Sequence, residues 1–262
     1  MKTVLDFQKA KVAGQKISMI TCYDHWTAKI VNDSKVDCIL VGDSVAMVAH
    51  GHSTTLPATV DLISSHVEAV RKGAPNKFIV ADMPFLAHRG SVDSTMAAVA
   101  QLMRAGAQAV KIEGVDGSDQ TIHHIVESGV PVMGHLGLTP QSIHQFGGFK
   151  VQATQDEAAK KLIEQAKRIE RAGCFALVLE CVPSEVARQV TSQLTIPTIG
   201  IGAGADTSGQ VLVMQDLLGM NPEFAPKFVR RFLNGHEVFK AAFDQFDQAV
   251  KGAQFPNEKE SY

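Results

Sequence analysis

Several apolar runs in this sequence end on a group that can hold a cation, an anion or a proton: Val41-Gly42-Asp43-Ser44, Val80-Ala81-Asp82-Met83, Lys111-Ile112-Glu113-Gly114, Met133-Gly134-His135 and Val178-Leu179-Glu180-Cys181. Asp43, Asp82 and Glu113 form an all-oxygen set with one histidine and no cysteine nearby, which suits Mg²⁺ or Mn²⁺ better than Zn²⁺. Two of these carboxylates could bind directly and the third through water. Any one of them could instead cap the following helix or pair with a base, so the recurrence at three strand ends carries the reading. Lys111 lies two residues before Glu113 and therefore on the same side of a strand. There it would hold an anionic substrate group or form a structural ion pair with Glu113 or Asp82. Glu180 shares its side with Val178 and has no evident partner, so desolvation would raise its pKa toward that of a general base; a salt bridge to an unseen base is the alternative. His135 stands between Gly134 and Gly137, where the backbone can approach a ligand closely. A structural histidine donating to a backbone carbonyl would fit the same place.

These residues must be brought together by the elements between them. Candidate strands are 17–22, 36–41, 78–81, 108–112, 130–133, 175–179, 196–201 and 211–214, and they alternate with helical periodicity at about 24–34, 59–72, 92–105, 118–128, 155–172, 184–193 and 223–250. Gly73, Gly106, Gly129 and Gly173 read as C-terminal helix caps. Eight strands in this rhythm predict an α/β fold, a single (β/α)₈ barrel whose C-terminal strand ends converge on one mouth. In that mouth Asp43, Asp82, Glu113, His135 and Glu180 would share a common volume. The barrel with its C-terminal helices is expected over residues 1–251, followed by a polar, disordered tail over 252–262.

Composition sets the outer bounds. The chain has 262 residues, 45% of them hydrophobic and 20% charged, which excludes disorder as its main state. Lys+Arg 25 against Asp+Glu 27 gives a formal charge of −2, which speaks against nucleic acid as a partner. Neither a signal peptide nor a membrane-spanning apolar run is visible, so a cytoplasmic protein with no membrane contact is expected. Cys22, Cys38, Cys174 and Cys181 form no Cys-x-x-Cys pair and read as reduced, mostly buried thiols. Gly200-Ile201-Gly202-Ala203-Gly204 fits either an anion cradle or a tight turn, the connection from about 136 to 154 fits an active-site loop, and His123-His124 fits a solvated helix face.

The motifs taken in order closely resemble the ketopantoate hydroxymethyltransferase family over about residues 1–250. They are Val41-Gly42-Asp43-Ser44, Gly51-His52 through Leu56-Pro57, Ala81-Asp82-Met83-Pro84-Phe85, Val110-Lys111-Ile112-Glu113-Gly114, Gly134-His135 through Pro140-Gln141, Gly147-Gly148-Phe149-Lys150-Val151-Gln152 and Leu179-Glu180-Cys181-Val182-Pro183. The resemblance implies a (β/α)₈ TIM barrel of the phosphoenolpyruvate/pyruvate type. It implies Mg²⁺-dependent transfer of a hydroxymethyl group from 5,10-methylenetetrahydrofolate to 3-methyl-2-oxobutanoate, through a metal-stabilised enolate, giving 2-dehydropantoate on the route to pantothenate and coenzyme A. By motif match, Asp43, Asp82 and Glu113 resemble the metal ligands and Glu180 the proton acceptor. Asp43, Ser44, Asp82, Lys111 and His135 resemble substrate contacts. The family also implies self-association as a homodecamer. Ala153 stands where the family often has glycine, and Ser208 where an acid often precedes Gly-Gln. A Mg²⁺-dependent lyase acting on a 2-oxo acid without folate is the competing enzyme reading, although the Lys-x-Cys-Gly motif of many such lyases is missing. A catalytically silent barrel would have no physical reason to keep an uncompensated anionic mouth.

Overall fold

Runs of β-branched and other apolar residues supply the strands, because crowded side chains favour a pleated backbone. They are β1 Ile17–Thr21, β2 Cys38–Val41, β3 Phe78–Asp82, β4 Ala109–Glu113, β5 Val132–Gly137, β6 Ala176–Glu180, β7 Thr198–Ile201 and β8 Gly209–Leu212. In a computed structural model, which describes residues 3–262, these strands pair in parallel and in chain order, and β8 closes on β1. Among the described residues the architecture is therefore the expected eight-stranded barrel.

The helices are α1 Val4–Val12, α2 His25–Asp33, α3 Val45–Val48, α4 Val60–Gly73, α5 Val92–Arg104, α6 Asp119–Glu127, α7 Ile143–Phe146, α8 Asp156–Arg171, α9 Ser184–Gln193, α10 Met214–Leu217 and α11 Gly235–Lys251. Side-chain caps start several of them, since Asp24, Thr59 and Ser91 each accept from a backbone N–H in the first turn. Gly106, Gly129 and Gly173 take positive φ after their helices, as caps should. Gly73 does not. It ends α4 where a Cβ would collide with His25 O, so its smallness serves the α2–α4 contact.

The barrel interior is filled by the residues that start each strand. Ile17, Met19, Leu40, Phe78, Val80, Ala109, Met133, Ala176, Val178, Ile199 and Val211 form one buried cluster. Phe7 of α1 joins it and packs edge-on against Phe78 and Phe175, at 5.3 and 5.1 Å between centroids. A fully buried phenylalanine contributes roughly 1.5–3 kcal/mol, so α1 closes the barrel at the strand beginnings. The sequence reading did not anticipate this helix.

Three further expectations are corrected. Helix does not extend over 223–234, where Pro226 lacks a backbone N–H, and α11 begins at Gly235. β5 runs on to Gly137 rather than stopping at Met133, which places His135 inside a strand. The tail is not featureless, since Phe255 packs on Phe246 and Asn257 caps a 3₁₀ turn over Glu258–Glu260. Ser208 and Thr198 exchange reciprocal backbone-to-hydroxyl hydrogen bonds of 3.2 Å across the β7–β8 connection, so a hydroxyl suffices there. The chain divides into two compact units, one ending at Val213 and one spanning Met214–Tyr262. All four cysteines are free thiols, with Cys22, Cys38 and Cys174 buried, and His123-His124 lies exposed on α6.

Candidate active site

On β3 to β6 the residue two beyond the apolar filling points the same way and reaches the mouth. Asp82 follows Phe78 and Val80 on β3, Lys111 and Glu113 follow Ala109 on β4, His135 follows Met133 on β5, and Glu180 follows Ala176 and Val178 on β6. Register then sets these groups side by side: Asp82 pairs with Lys111, Glu113 with His135, and Gly137 with Glu180. Gly137 has φ 92°, and a Cβ there would collide with Glu180 O, so the β5–β6 seam closes at this point only with glycine.

The resulting network is buried and charged. Lys111 Nζ lies 3.0 Å from Asp82 Oδ1, 3.9 Å from Glu113 Oε1 and 3.1 Å from His135 Nδ1. An ammonium only donates, so His135 Nδ1 accepts and its Nε2 carries the proton, facing Glu180 Oε2 at 3.2 Å. Burial lowers the pKa of His135 and Lys111 lowers it further, so the ring is neutral. Burial opposes the charge of Lys111 as well, but Asp82, Glu113 and Asp43 more than offset that and hold its pKa above the ordinary lysine value. Glu180 therefore has a partner, contrary to the expectation of isolation. It is also less buried than expected, with its side chain 18% exposed.

Asp43 lies two residues past β2, and its backbone N–H donates to Asp82 Oδ2 at 2.9 Å. Burial raises its pKa, and the charges of Asp82 and Glu113 raise it further. Burial also raises Asp82 despite Lys111, and pushes Glu113 up to about 7. Ser44 is half-buried and shares a 2.7 Å hydrogen bond with Tyr23, whose hydroxyl burial keeps protonated. All the expected site residues thus meet at one mouth.

Two residues of this network were missed by sequence reading. Gln141 is buried, donates its backbone N–H to Glu113 Oε2 at 3.0 Å, and shares its side-chain amide between Asp43 Oδ2 at 2.9 Å and Met83 O at 3.0 Å. Pro140, at the start of the turn over Pro140–Ser142, is the signal that could have flagged it. Tyr23 is one of two tyrosines in the chain and lies two residues past β1, as Asp43 does past β2. The glycine-rich 200–204 segment resolves as a turn, where Gln210 Nε2 donates to Gly204 O. The 147–154 loop returns to the mouth, with Gln152 N–H bonded to Cys181 O at 2.8 Å. Within it Ala153 sits at φ 55°, a left-handed conformation that explains why glycine suits the position.

The residues fit a divalent cation by charge. Asp43, Asp82, Glu113 and Glu180 outnumber the one lysine among them. Glu113 Oε1 is buried without a hydrogen-bond partner, 3.3 Å from the accepting Nδ1 of His135. Two acceptors at that distance repel unless a proton or a cation relieves them. Among the described residues no three His, Cys, Asp or Glu side chains form a ready metal cage.

Solved barrels of similar fold include a member of the phosphoenolpyruvate mutase/isocitrate lyase superfamily. Phosphonopyruvate hydrolase in complex with oxalate and Mg²⁺ aligns with TM-score 0.65 at 11% identity over 99% of this chain and 93% of that one. A 2,3-dimethylmalate lyase of that superfamily aligns with TM-score 0.63 at 14% identity over 100% and 92%. At such identities these likenesses speak for the fold alone. The family model for ketopantoate hydroxymethyltransferase matches residues 1–258, and the chain belongs to that family. It is 60% identical over 253 residues to the 3-methyl-2-oxobutanoate hydroxymethyltransferase of Coxiella burnetii (strain CbuK_Q154), covering 96% of this chain and 95% of that protein.

Proposed function

We propose that this enzyme transfers a hydroxymethyl group from 5,10-methylenetetrahydrofolate to 3-methyl-2-oxobutanoate, giving 2-dehydropantoate and tetrahydrofolate in pantothenate biosynthesis. The observation that carries the chemistry is the buried chain Asp82–Lys111–His135–Glu180, which sets a fixed cation and a carboxylate base on neighbouring strands of one mouth. A divalent cation, Mg²⁺ in this reading, would be held by Asp43 and Asp82 with Glu113 acting directly or through water, and would supply positive charge to the carboxylate and ketone oxygens of the 2-oxo acid.

Lys111 stays protonated and offers its ammonium to the anionic end of the keto acid, and Ser44, held by Tyr23, offers a hydroxyl to the same ligand. Glu180 takes the proton from C3. His135 Nε2–H faces one oxygen of Glu180 at 3.2 Å, an electrostatic contact that favours one orientation of the base and keeps the imidazole from competing for the proton. The electron pair released at C3 then forms a bond to the methylene carbon of the donor, both carbon–nitrogen bonds of the donor break, one water supplies the product hydroxyl, and the two freed nitrogens take up that water's remaining proton and the proton held by Glu180. Gln141 fixes Asp43 and Glu113 relative to each other, so the carboxylates are positioned before substrate arrives.

Self-association as a homodecamer belongs to the same reading. Supporting it, α11 leaves Phe239, Phe243, Phe246 and Val250 exposed at helical spacing. No helix among the described residues is long and apolar enough to cross a membrane, and a cytoplasmic site of action agrees with the substrates.

Proton NMR of 3-methyl-2-oxobutanoate in D₂O tests the reading. C3 deuteration that requires both protein and Mg²⁺, followed by a hydroxymethyl product once donor is added, is the expected result. Deuteration without product would favour a lyase, and neither would overturn the assignment.

A further inference from the structure

A cavity of about 690 Å³ opens beside the carboxylate cluster. Glu113 and Gln141 belong to its lining, as do His88 and Arg89 from the connection between β3 and α5, Phe146 of α7 and Lys161 of α8. His88 neither holds the keto acid nor moves its proton. It is 3% exposed, and neither Nδ1 nor Nε2 has a hydrogen-bond partner. Two buried ring nitrogens left unpaired cost free energy that a phenylalanine would not, so a polar group in this wall calls for a ligand that completes it.

Size, position and chemistry agree on what that ligand is. The cavity falls within the roughly 300–1,000 Å³ typical of sites for drug-sized molecules, far more than a five-carbon keto acid needs. It adjoins the cluster through Glu113 and Gln141, and Gln141 also touches Asp43, so a molecule seated here ends one residue away from the proposed keto acid site. Its lining combines aromatic rings, Phe85 and Phe146, with amide side chains such as Gln145 and Gln152, which suits a flat heterocycle that carries donors and acceptors along its edge. Burial, with a smaller contribution from Arg89, lowers the pKa of His88 to about 4, so the neutral ring presents one donor and one acceptor together.

We propose that this cavity seats the one-carbon donor, with His88 hydrogen-bonded to its reduced pterin ring and the reactive methylene turned toward Glu113 and Gln141. This deepens the function proposed above and rests on it. The test uses the full chain with His88→Phe, which keeps the ring and removes both nitrogens, and His88→Gln, which keeps a donor and an acceptor. Four quantities are read: tetrahydrofolate binding by titration calorimetry, KM for 5,10-methylenetetrahydrofolate, KM for the keto acid, and donor-independent C3 deuteration. His88→Phe should weaken tetrahydrofolate binding and raise the donor KM by about tenfold or more, while keto acid KM and deuteration stay within about twofold. His88→Gln should recover most of the loss, and it remains informative if the phenylalanine variant does not fold. Unchanged tetrahydrofolate affinity in folded His88→Phe overturns the proposal, as does an equal loss of C3 deuteration. A wild-type protein that deuterates C3 yet binds no tetrahydrofolate defeats the donor cavity alone. Absent deuteration defeats the proposed function itself.

Discussion

Replacing Lys111 by methionine keeps most of the buried stem and removes the positive charge that faces Asp82 at 3.0 Å and Glu113 at 3.9 Å. Removing one partner of a buried ion pair costs about 3–5 kcal/mol when the other charge stays ionised. The orphaned carboxylate has another course, which is to take up a proton. For an aspartate of ordinary pKa ~3.9, neutralisation costs about 1.36 kcal/mol per pH unit above that value, hence about 4 kcal/mol at pH 7 and about 1.5 kcal/mol at pH 5. Proton uptake therefore caps the destabilisation near those figures. In that window the folded variant binds more protons than its unfolded chain, so its stability falls as pH rises. The wild type shares the direction, because burial raises Asp43 and Asp82 and pushes Glu113 up to about 7, but Lys111 limits the effect. Urea unfolding of both proteins in chelator at pH 5 and pH 7 measures the difference. The expected gap is about 4 kcal/mol at pH 7, narrowing to about 1.5 kcal/mol at pH 5. A gap under about 1 kcal/mol at pH 7, or one that does not narrow, would refute the claim that Lys111 neutralises the mouth.

Other expectations follow from the same geometry. Glu180→Gln should slow C3 deuteration of the keto acid by about 10²–10⁴-fold while Mg²⁺ affinity, read by titration calorimetry, stays within about twofold. Gln141→Ala removes the side-chain bonds to Asp43 and Met83 O and should cost about 1.5–3 kcal/mol in urea unfolding. Ala153→Gly relieves a residue held at φ 55° and should raise stability by up to about 1 kcal/mol, seen as a higher Tm; a lower Tm would mean that Ala153 packing outweighs the strain.

The barrel was legible because its signal is redundant. Each strand is a short apolar run bracketed by helical periodicity, and the eight repeats leave little freedom for another arrangement. What failed lay where local pattern and tertiary context part. Residues 223–234 carry apolar spacing suited to a helix, but Pro226 removes a backbone N–H and its ring crowds the preceding turn. α1 is nine residues long with Lys9 and Lys11 in its last turn, so little in its composition announces that Phe7 is buried against Phe78 and Phe175.

The site divides along the same line. Lys111 and Glu113 were readable as neighbours because period two holds within one strand. That Asp82 faces Lys111, and that Glu180 faces His135, depends on register between strands, which a single sequence does not state. Glu180 therefore looked solitary, although an imidazole one strand away holds it. Gln141 was harder still, since it reaches Asp43 and Glu113 from a 3₁₀ turn rather than from a strand. The strands themselves explain why charge can gather here at all. Their first inward residues pack the barrel, and only the last ones, at the rim, trade packing for charge. The loss in stability is confined to one layer, and that layer is the one a substrate and a cation can reach.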